Sequence, residues 1–309
     1  IMRSLPGQPH LASLELVHGS DDFNIQIPTG DLTKLAELLK AFGVSLVHIH
    51  HTMHWAIDLQ ALLARLGLPF LFTVHDFYTL CPRVNLMGPL HSAYCGEPDQ
   101  NGCLACLKES PRTDTTDIFY WRARHAWLFH DALAIICPSR DTAARCLNYY
   151  PHVQSKIRAV YHERTPPCNQ TLTDSEFSLN QPLRVAILGV LARHKGLDLV
   201  LDLARLAIRK KYPITFILIG YTTEIVPYAL KGVITQTGKY TDQELHRLIL
   251  DKRPHLVWFP SRCPETYSYT LTTVLNIGLP ILAPRLGAFP ERLQRYALAW
   301  GYDLDATTT

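Results

Sequence analysis

Hydrophobic residues in the second half of the chain form short runs, and each run is followed by a longer stretch with helical spacing. The runs have the length and the aliphatic composition of strands that are buried on both faces. Alternation of this kind predicts a doubly wound parallel sheet, which binds its ligands at the carboxyl ends of the strands. The predicted strands of this half are 183–188, 214–219, 232–235, 255–259 and 279–283.

The first half of the chain shows the same alternation from about residue 30 onward, which predicts a second α/β domain. Before that point, two short strands are predicted without helices between them. The predicted strands of this half are 12–17, 23–28, 45–50, 70–74, 132–137 and 157–160. The predicted helices are 32–42, 56–66, 117–129 and 139–148.

Two stretches have neither a strand period nor a helix period. Residues 79–111 are rich in Gly, Pro and Cys, and a loop of this length is usually functional, metal-bound or disordered. Residues 163–182 are polar and interrupted by prolines, which is typical of a linker between domains. We therefore predict a first domain at 1–162, a linker at 163–182 and a second domain at 183–309.

Composition and charge narrow the class of protein. The 309 residues are 47% apolar and 18% charged, which suits two α/β domains with hydrophobic cores. The net charge of +3 is too small to favour nucleic acid or a membrane surface as the partner. No apolar run reaches the roughly 20 residues that a membrane span needs, and no secretion signal is visible. The sequence thus indicates a soluble intracellular enzyme.

Residues 259–284 contain the pattern around which the candidate site is built. A strand ends at Phe259, and the polar turn that follows carries one acid, Glu265. A helix is predicted at 267–277, and Gly278 ends it. The first backbone amides of a helix that starts at the strand ends favour an anionic ligand.

A second turn, after the strand 183–188, carries two cations, Arg193 and Lys195. Arginine offers a bidentate fork and lysine a point charge, which together suit a pyrophosphate. Fixed positive charge would also stabilise a diphosphate as it leaves. The alternative is that both residues are solvated charges in a surface loop.

Four of the eight cysteines lie in the loop 79–111, and they include a Cys-x2-Cys pair. Four thiolates in one irregular loop suit a tetrahedral structural zinc, which would keep the loop ordered. Disulfides or free thiols are the alternative. The four candidate ligands are Cys81, Cys95, Cys103 and Cys106.

Histidines are dense at the ends of two predicted strands of the first half. His48 and His50 share one strand face, so the run that also contains His51 and His54 is predicted to pack rather than to bind a metal. His75 follows the next strand and is predicted to point into the cleft between the domains. There it has either a functional or a structural role.

The turns around Lys195 and Glu265 resemble the nucleotide-binding half of a GT-B glycosyltransferase, in the large retaining family that carries a Glu-x7-Glu motif (glycosyltransferase family 4, or group 1). The resemblance covers residues 183–292 and, more loosely, 47–149. It implies an α/β fold of two Rossmann-like doubly wound domains that face each other across a cleft. First domains of this kind normally begin with a strand and a Gly-rich turn. No such turn precedes Ala12, so we expect the first domain to be incomplete at its N-terminus.

The resemblance also implies roles for individual residues. Glu265 matches the first acid of the motif, which hydrogen-bonds the donor sugar, whereas Thr273 takes the place of the second acid, which grips the ribose hydroxyls. Arg193 and Lys195 would hold the leaving phosphate, and the family needs neither a protein base nor a catalytic metal. The other donor-site residues that it implies are Gly189 in the phosphate turn, Tyr240 beside the base, Tyr267 and Ser268 at the start of the helix, and His75 near the sugar.

The implied reaction is transfer of a sugar from a nucleotide diphosphate sugar to a glycan or lipid-linked glycan, with retention. The pattern around His75 and the cysteines resembles bacterial enzymes that assemble lipopolysaccharide O-antigen or other surface polysaccharides. This implies a cytoplasmic enzyme that works at the inner face of the membrane, with other domains of a longer polypeptide as partners. Thr273 favours an alternative, a catalytically impaired binding module, and a phosphorylase or sugar epimerase of the same shape is a third reading.

Overall fold

The strands of the described residues form three sheets, one antiparallel with three strands and two parallel with four and six strands. The computed structural model describes residues 1–5, 7–8, 10–18, 21–53, 55, 57–89, 93–109, 117–163 and 181–304. Of the predicted linker 163–182, residues 164–180 therefore lie outside the described residues. His54 also lies outside them.

The antiparallel sheet begins the chain, in the order β1-β2-β3. Its strands are β1 (Met2–Ser4), β2 (Leu11–His18) and β3 (Asp21–Pro28). The two strands predicted before residue 30 are confirmed as β2 and β3. The sequence did not predict β1, because three residues are too few to show a period. Ala12, Leu14 and Ile27 are buried in the core of the first half.

The four-stranded parallel sheet has the order β4-β5-β6-β7 and forms the centre of the first half. Its strands are β4 (Val47–Ile49), β5 (Phe70–Thr73), β6 (Ala134–Cys137) and β7 (Ile157–Ala159). Its helices are α1 (Leu32–Ala41), α2 (Leu59–Leu66), α3 (Gln100–Glu109), α4 (Ile118–His125), α5 (Trp127–His130) and α6 (Arg140–Tyr149).

Helix α3 corrects the prediction that 79–111 has no regular structure. The sequence does not show this helix because Leu107 is its one fully buried residue, which leaves almost no apolar period. Asp99 starts the helix, since its Oδ1 accepts a hydrogen bond from the amide of Gly102 at 2.8 Å. The helix then packs against α4.

The six-stranded sheet of the second half is parallel throughout, in the order β10-β9-β8-β11-β12-β13. Its strands are β8 (Leu183–Leu191), β9 (Ile214–Thr222), β10 (Ile234–Gln236), β11 (Leu256–Trp258), β12 (Ile281–Pro284) and β13 (Ala299–Tyr302). Its helices are α7 (Leu197–Lys210), α8 (Asp242–Lys252), α9 (Tyr269–Ile277) and α10 (Phe289–Leu293).

The sequence of residues 288–299 predicts a last helix, and this prediction is wrong at its C-terminal end. Helix α10 stops at Leu293, and Ala299 already belongs to β13. This strand lies at the sheet edge and contains no fully buried residue, and its four residues are too few to show a strand period. None of the described helices has the length and apolarity that crossing a membrane requires.

Candidate functional site

A cavity of about 400 Å³ opens between the two halves of the chain, at the carboxyl ends of β5, β8 and β11. The first half contributes His75 and His162 to its lining. The second half contributes Gly189 of β8, Lys195 of the turn that follows β8, and the turn that carries Glu265. The structure thus brings together candidate residues that are far apart in the sequence.

Lys195 and Glu265 form an ion pair in this cavity. Glu265 is the more buried partner, with 14% of its side chain exposed against 39% for Lys195. Ser261 also donates a hydrogen bond to Oε1 of Glu265, at 3.2 Å. Burial by itself lowers the pKa of Lys195, but the facing carboxylate outweighs burial and the pKa is raised. Lys195 is therefore a fixed positive charge.

Two glycines permit the close packing that places this pair. Gly196 follows Lys195 in a left-handed conformation (φ +87°), and a Cβ there would lie 2.0 Å from the carbonyl oxygen of Pro260. On the other side, a Cβ at Gly287 would lie 2.5 Å from the amide nitrogen of Glu265. The phosphate turn, the Glu265 turn and the loop after β12 are thus packed backbone against backbone.

The start of α9 faces the same cavity in an unusual conformation. Ser268 precedes the helix with φ +69°, a left-handed conformation that side chains rarely adopt. Arg292 holds it by donating hydrogen bonds to the carbonyls of Tyr267 and Ser268, both at 2.7 Å. The Tyr267 ring is buried beneath the Arg292 guanidinium, 3.9 Å from its centroid, and its hydroxyl bonds the backbone of Glu163. The positions of Tyr267 and Ser268 at this helix start are therefore fixed.

The ring of His75 belongs to a series of ring contacts that leads from the first half of the chain to α9. Its Nε2 lies 2.8 Å from Nδ1 of His50, and its ring stacks on His162 with centroids 5.1 Å apart. His162 in turn stacks on Tyr269 of α9, at 5.7 Å. Burial, followed by the neighbouring His162 and His50 rings, lowers the pKa of His75 from 6.5 to about 4. His75 is consequently neutral at physiological pH.

Further contacts tie the Glu265 turn to the first half. The Thr266 hydroxyl donates to the carbonyl of His75 at 2.7 Å. The Glu291 carboxylate accepts the amide of Arg140, the first residue of α6, at 2.8 Å. The sequence analysis missed Ser261, Glu291, Arg292 and His162. The partners of Glu291, Arg292 and His162 lie on other elements, so no local pattern marks these three residues.

Acid should destabilise the fold between pH 6.5 and 4, in part through His75. Between these values the unfolded chain binds a proton at this position that the folded protein excludes, so stability is complete above pH 6.5 and is lost as the pH approaches 4. Denaturant titrations at several pH values measure this slope, and His75→Asn should make it shallower. His152→Asn, which is remote from the cavity, serves as the control. An equal slope in His75→Asn and wild type would contradict the prediction.

Three predicted site residues lie outside the described lining of the cavity. Arg193 is exposed and forms a bidentate ion pair with Glu224, with N–O distances of 2.6 and 3.1 Å. Tyr240 is half-buried with its hydroxyl near Gly189, 3.8 Å from where a Cβ on that glycine would lie. Thr273 is half-buried on α9, one turn into the helix.

The predicted zinc site does not form. All four candidate cysteines are described, yet among the described residues no group of three or more His, Cys, Asp or Glu side chains could hold a metal ion. Burial raises the pKa of Cys81 to about 12 and that of Cys95 to about 11, which favours neutral thiols. Cys103 instead contacts the Arg122 guanidinium, at 3.5 Å. The loop is held by Arg145, which bonds Tyr94 and Glu97.

A family model described as Glycosyltransferase Family 4 matches residues 7–162. The chain belongs to this family. The prediction of glycosyltransferase family 4 is therefore confirmed. No curated protein sequence matches the chain.

Solved structures confirm the fold of this family member as α/β, GT-B. HepE from Anabaena, in complex with UDP and glucose, is 14% identical with a TM-score of 0.52, and the match covers 88% of this chain and 67% of that one. Sucrose-phosphate synthase from Thermosynechococcus elongatus is 14% identical with a TM-score of 0.57, covering 99% and 75%. The lipopolysaccharide outer core galactosyltransferase WaaB is 12% identical with a TM-score of 0.50, covering 90% and 67%. At these identities the likeness concerns the fold alone.

Proposed function

We propose that the protein transfers a sugar from a nucleotide diphosphate sugar to a glycan acceptor, with retention of configuration. The observation that carries this proposal is the pair Lys195 and Glu265, in an interdomain cavity that the first turn of α9 also lines. A cation, an acid and helix amides at one place suit a donor with a charged diphosphate and a hydroxyl-rich sugar. The solved HepE structure, which contains UDP and glucose, makes UDP the first nucleotide to test.

In this proposal each residue acts on one part of the donor. Lys195 neutralises the diphosphate as it leaves, and the amides at Tyr267 and Ser268 bind its oxygens. Glu265 accepts hydrogen bonds from sugar hydroxyls, and neutral His75 bonds the sugar from the opposite half. The departing phosphate takes the proton of the attacking acceptor hydroxyl on the same face of the sugar, so no protein base is required.

Arg193, Gly189 and Tyr240 retain the roles that the resemblance implies, as proposals. Arg193 would have to exchange its ion pair with Glu224 for the diphosphate, which a solvent-exposed pair permits at little cost. Gly189 would allow the diphosphate to approach the backbone of the phosphate turn. The Tyr240 hydroxyl lies beside Gly189, so its ring would be near the nucleotide base.

Thr273 favours a second candidate function, a transferase-like binding module that no longer turns over. A hydroxyl replaces a charged contact to the ribose, which costs about 1.5–3 kcal/mol of donor binding. The Lys195 and Glu265 pair supports the enzyme instead, because a module without a donor has no need of a partly buried ion pair at this place.

The proposed setting is synthesis of lipopolysaccharide O-antigen or another surface polysaccharide. The acceptor would be a glycan or a lipid-linked glycan, presented at the inner face of the membrane to a cytoplasmic enzyme. The fold that it shares with WaaB is compatible with this setting. We also propose the domain boundaries 1–162 and 183–309, with the segment between them as the linker.

A nucleotide-binding panel tests the proposal. UDP, GDP, ADP, CMP and dTDP are titrated by calorimetry into the wild type, Lys195→Ala and Arg193→Ala. We expect saturable binding of one nucleotide, a loss of about 10-fold or more in Lys195→Ala, and a smaller loss in Arg193→Ala because its side chain is exposed. If no nucleotide binds the wild type at millimolar concentration, the transferase proposal is wrong and the binding module is favoured.

A further inference from the structure

Two imidazole rings are joined by a hydrogen bond at the edge of the donor cavity. His50 follows β4 and His75 follows β5, and these strands are parallel neighbours. Nδ1 of His50 lies 2.8 Å from Nε2 of His75, which is a good hydrogen-bond distance. His75 lines the cavity and His50 stands behind it, outside the described lining.

The bond constrains where the protons lie. Burial lowers the pKa of both rings, so both are neutral at physiological pH. A neutral imidazole has one N–H and one bare nitrogen. The bond between two such rings therefore contains one proton. If His50 donates it, the proton of the His75 ring is on Nδ1, and if His75 donates it, Nδ1 of His75 is bare. The bond thus couples the tautomer of His75 to that of His50. In each of these two states Nδ1 of His75 has a single role, as donor or as acceptor.

We propose that His50 is a positioning residue of the donor site, which holds His75 in one tautomer and orientation so that Nδ1 of His75 bonds a hydroxyl of the donor sugar. This inference rests on the proposed function. It assigns a role to a histidine that the sequence analysis expected only to pack. His50 would affect the binding of the sugar and not of the diphosphate, because Lys195 and the helix amides bind the diphosphate.

The other nearby charged and titratable groups are already engaged. His48 stacks on His50 at 4.0 Å, but its Nε2 bonds the Thr73 hydroxyl at 2.7 Å. His51 pairs with Asp76 at 2.7 Å, and His162 stacks on the far face of the site. His50 is thus the residue whose ring nitrogen reaches His75.

Two replacements of His50 distinguish the effect of its hydrogen bond from the effect of its ring size. His50→Asn keeps an amide near the place of Nδ1, which can donate or accept, whereas His50→Phe keeps a ring without nitrogen. His152→Phe is the matched control, because His152 and His130 form another pair of stacked histidines, with a nitrogen–nitrogen distance of 3.0 Å, away from the cavity.

The first measurement is the tautomer itself. Long-range ¹H–¹⁵N spectra distinguish a protonated from a bare ring nitrogen, and His75→Asn assigns the signals of His75. We expect one protonated and one bare nitrogen in the wild type, in His50→Asn and in His152→Phe, and averaged shifts in His50→Phe. Unaveraged His75 shifts in His50→Phe would overturn the proposal, whatever the protein binds.

The second measurement compares UDP-glucose with UDP by calorimetry. We expect His50→Phe to weaken binding of UDP-glucose by about 5-fold, the size of one neutral hydrogen bond, and to leave UDP binding unchanged. His50→Asn should restore most of the loss. If His50→Phe weakened the binding of both ligands equally, or of neither, the proposed role of His50 would be wrong, while the proposed function would stand. If the wild type bound neither ligand nor any other nucleotide, the proposed function would fall, while the spectra would still report on the histidine pair.

Discussion

Lys195→Ala should lower the rate of sugar transfer by about 10²–10³-fold, the usual cost of removing one group that stabilises developing charge. Lys195 is held as a fixed cation by Glu265, and it is the one Lys or Arg in the described lining of the cavity. No other described lining side chain can therefore take over its charge at the diphosphate. The measurement is the initial rate of transfer, or of donor hydrolysis, with the nucleotide sugar that the binding panel identifies.

The same replacement also affects stability, and a second variant separates the two effects. Without Lys195 the carboxylate of Glu265 loses its cation in a mostly buried place, which costs about 1–3 kcal/mol of unfolding free energy. Lys195→Met combined with Glu265→Gln removes both charges and should recover stability but not activity. Lys195→Arg, which keeps the charge, should retain more activity than Lys195→Ala. Full transfer by Lys195→Ala would show that the cation has no part in the reaction.

Gly196→Ala should destabilise the protein by about 3–5 kcal/mol, among the larger effects of a single substitution. Two costs combine there. A side chain is strained at φ +87°, and its Cβ would lie 2.0 Å from the carbonyl oxygen of Pro260, so one backbone segment must move. Because Gly196 follows Lys195 and packs against the strand end that leads to Glu265, the movement also separates the ion pair of Lys195 and Glu265. Denaturant unfolding measures the loss of stability.

Gly238 provides a matched control for the clash. It has nearly the same conformation, φ +88°, but no atom lies within 4 Å of the place of its Cβ. Gly238→Ala should therefore show the backbone strain alone, about 1–2 kcal/mol. If the two variants lose equal stability, the close contact between Gly196 and Pro260 contributes nothing.

Much of the fold could be predicted because it depends on short periods. Strands β8, β9 and β12 are aliphatic runs between turns, and α1 has the apolar spacing of a helix that buries one face. Elements without a buried face of their own were missed, as with α3 and β13. Their stability comes from contacts with other elements, which leave no period in the sequence.

The candidate site divides along the same line. The amino-acid sequence by itself determined the phosphate turn with Lys195, the acidic turn with Glu265 and the strand that ends at His75, because each is a local pattern of strand, turn and helix. Which side chains meet was decided by the tertiary structure. Lys195 and Glu265 are 70 residues apart and pair because β8 and β11 are neighbours in the sheet.

The same reason explains which contacts the sequence analysis did not show. Arg193 is two residues from Lys195, yet it pairs with Glu224 beyond β9, outside the cavity. The four cysteines share one loop, but among the described residues they form no group that could hold a metal ion. His50 and His75 are joined because parallel strands bring their ends together. Spacing in the sequence determines on which side of a helix or strand a side chain lies. Contacts between side chains of different elements depend on how the ends of those elements are arranged in the sheet.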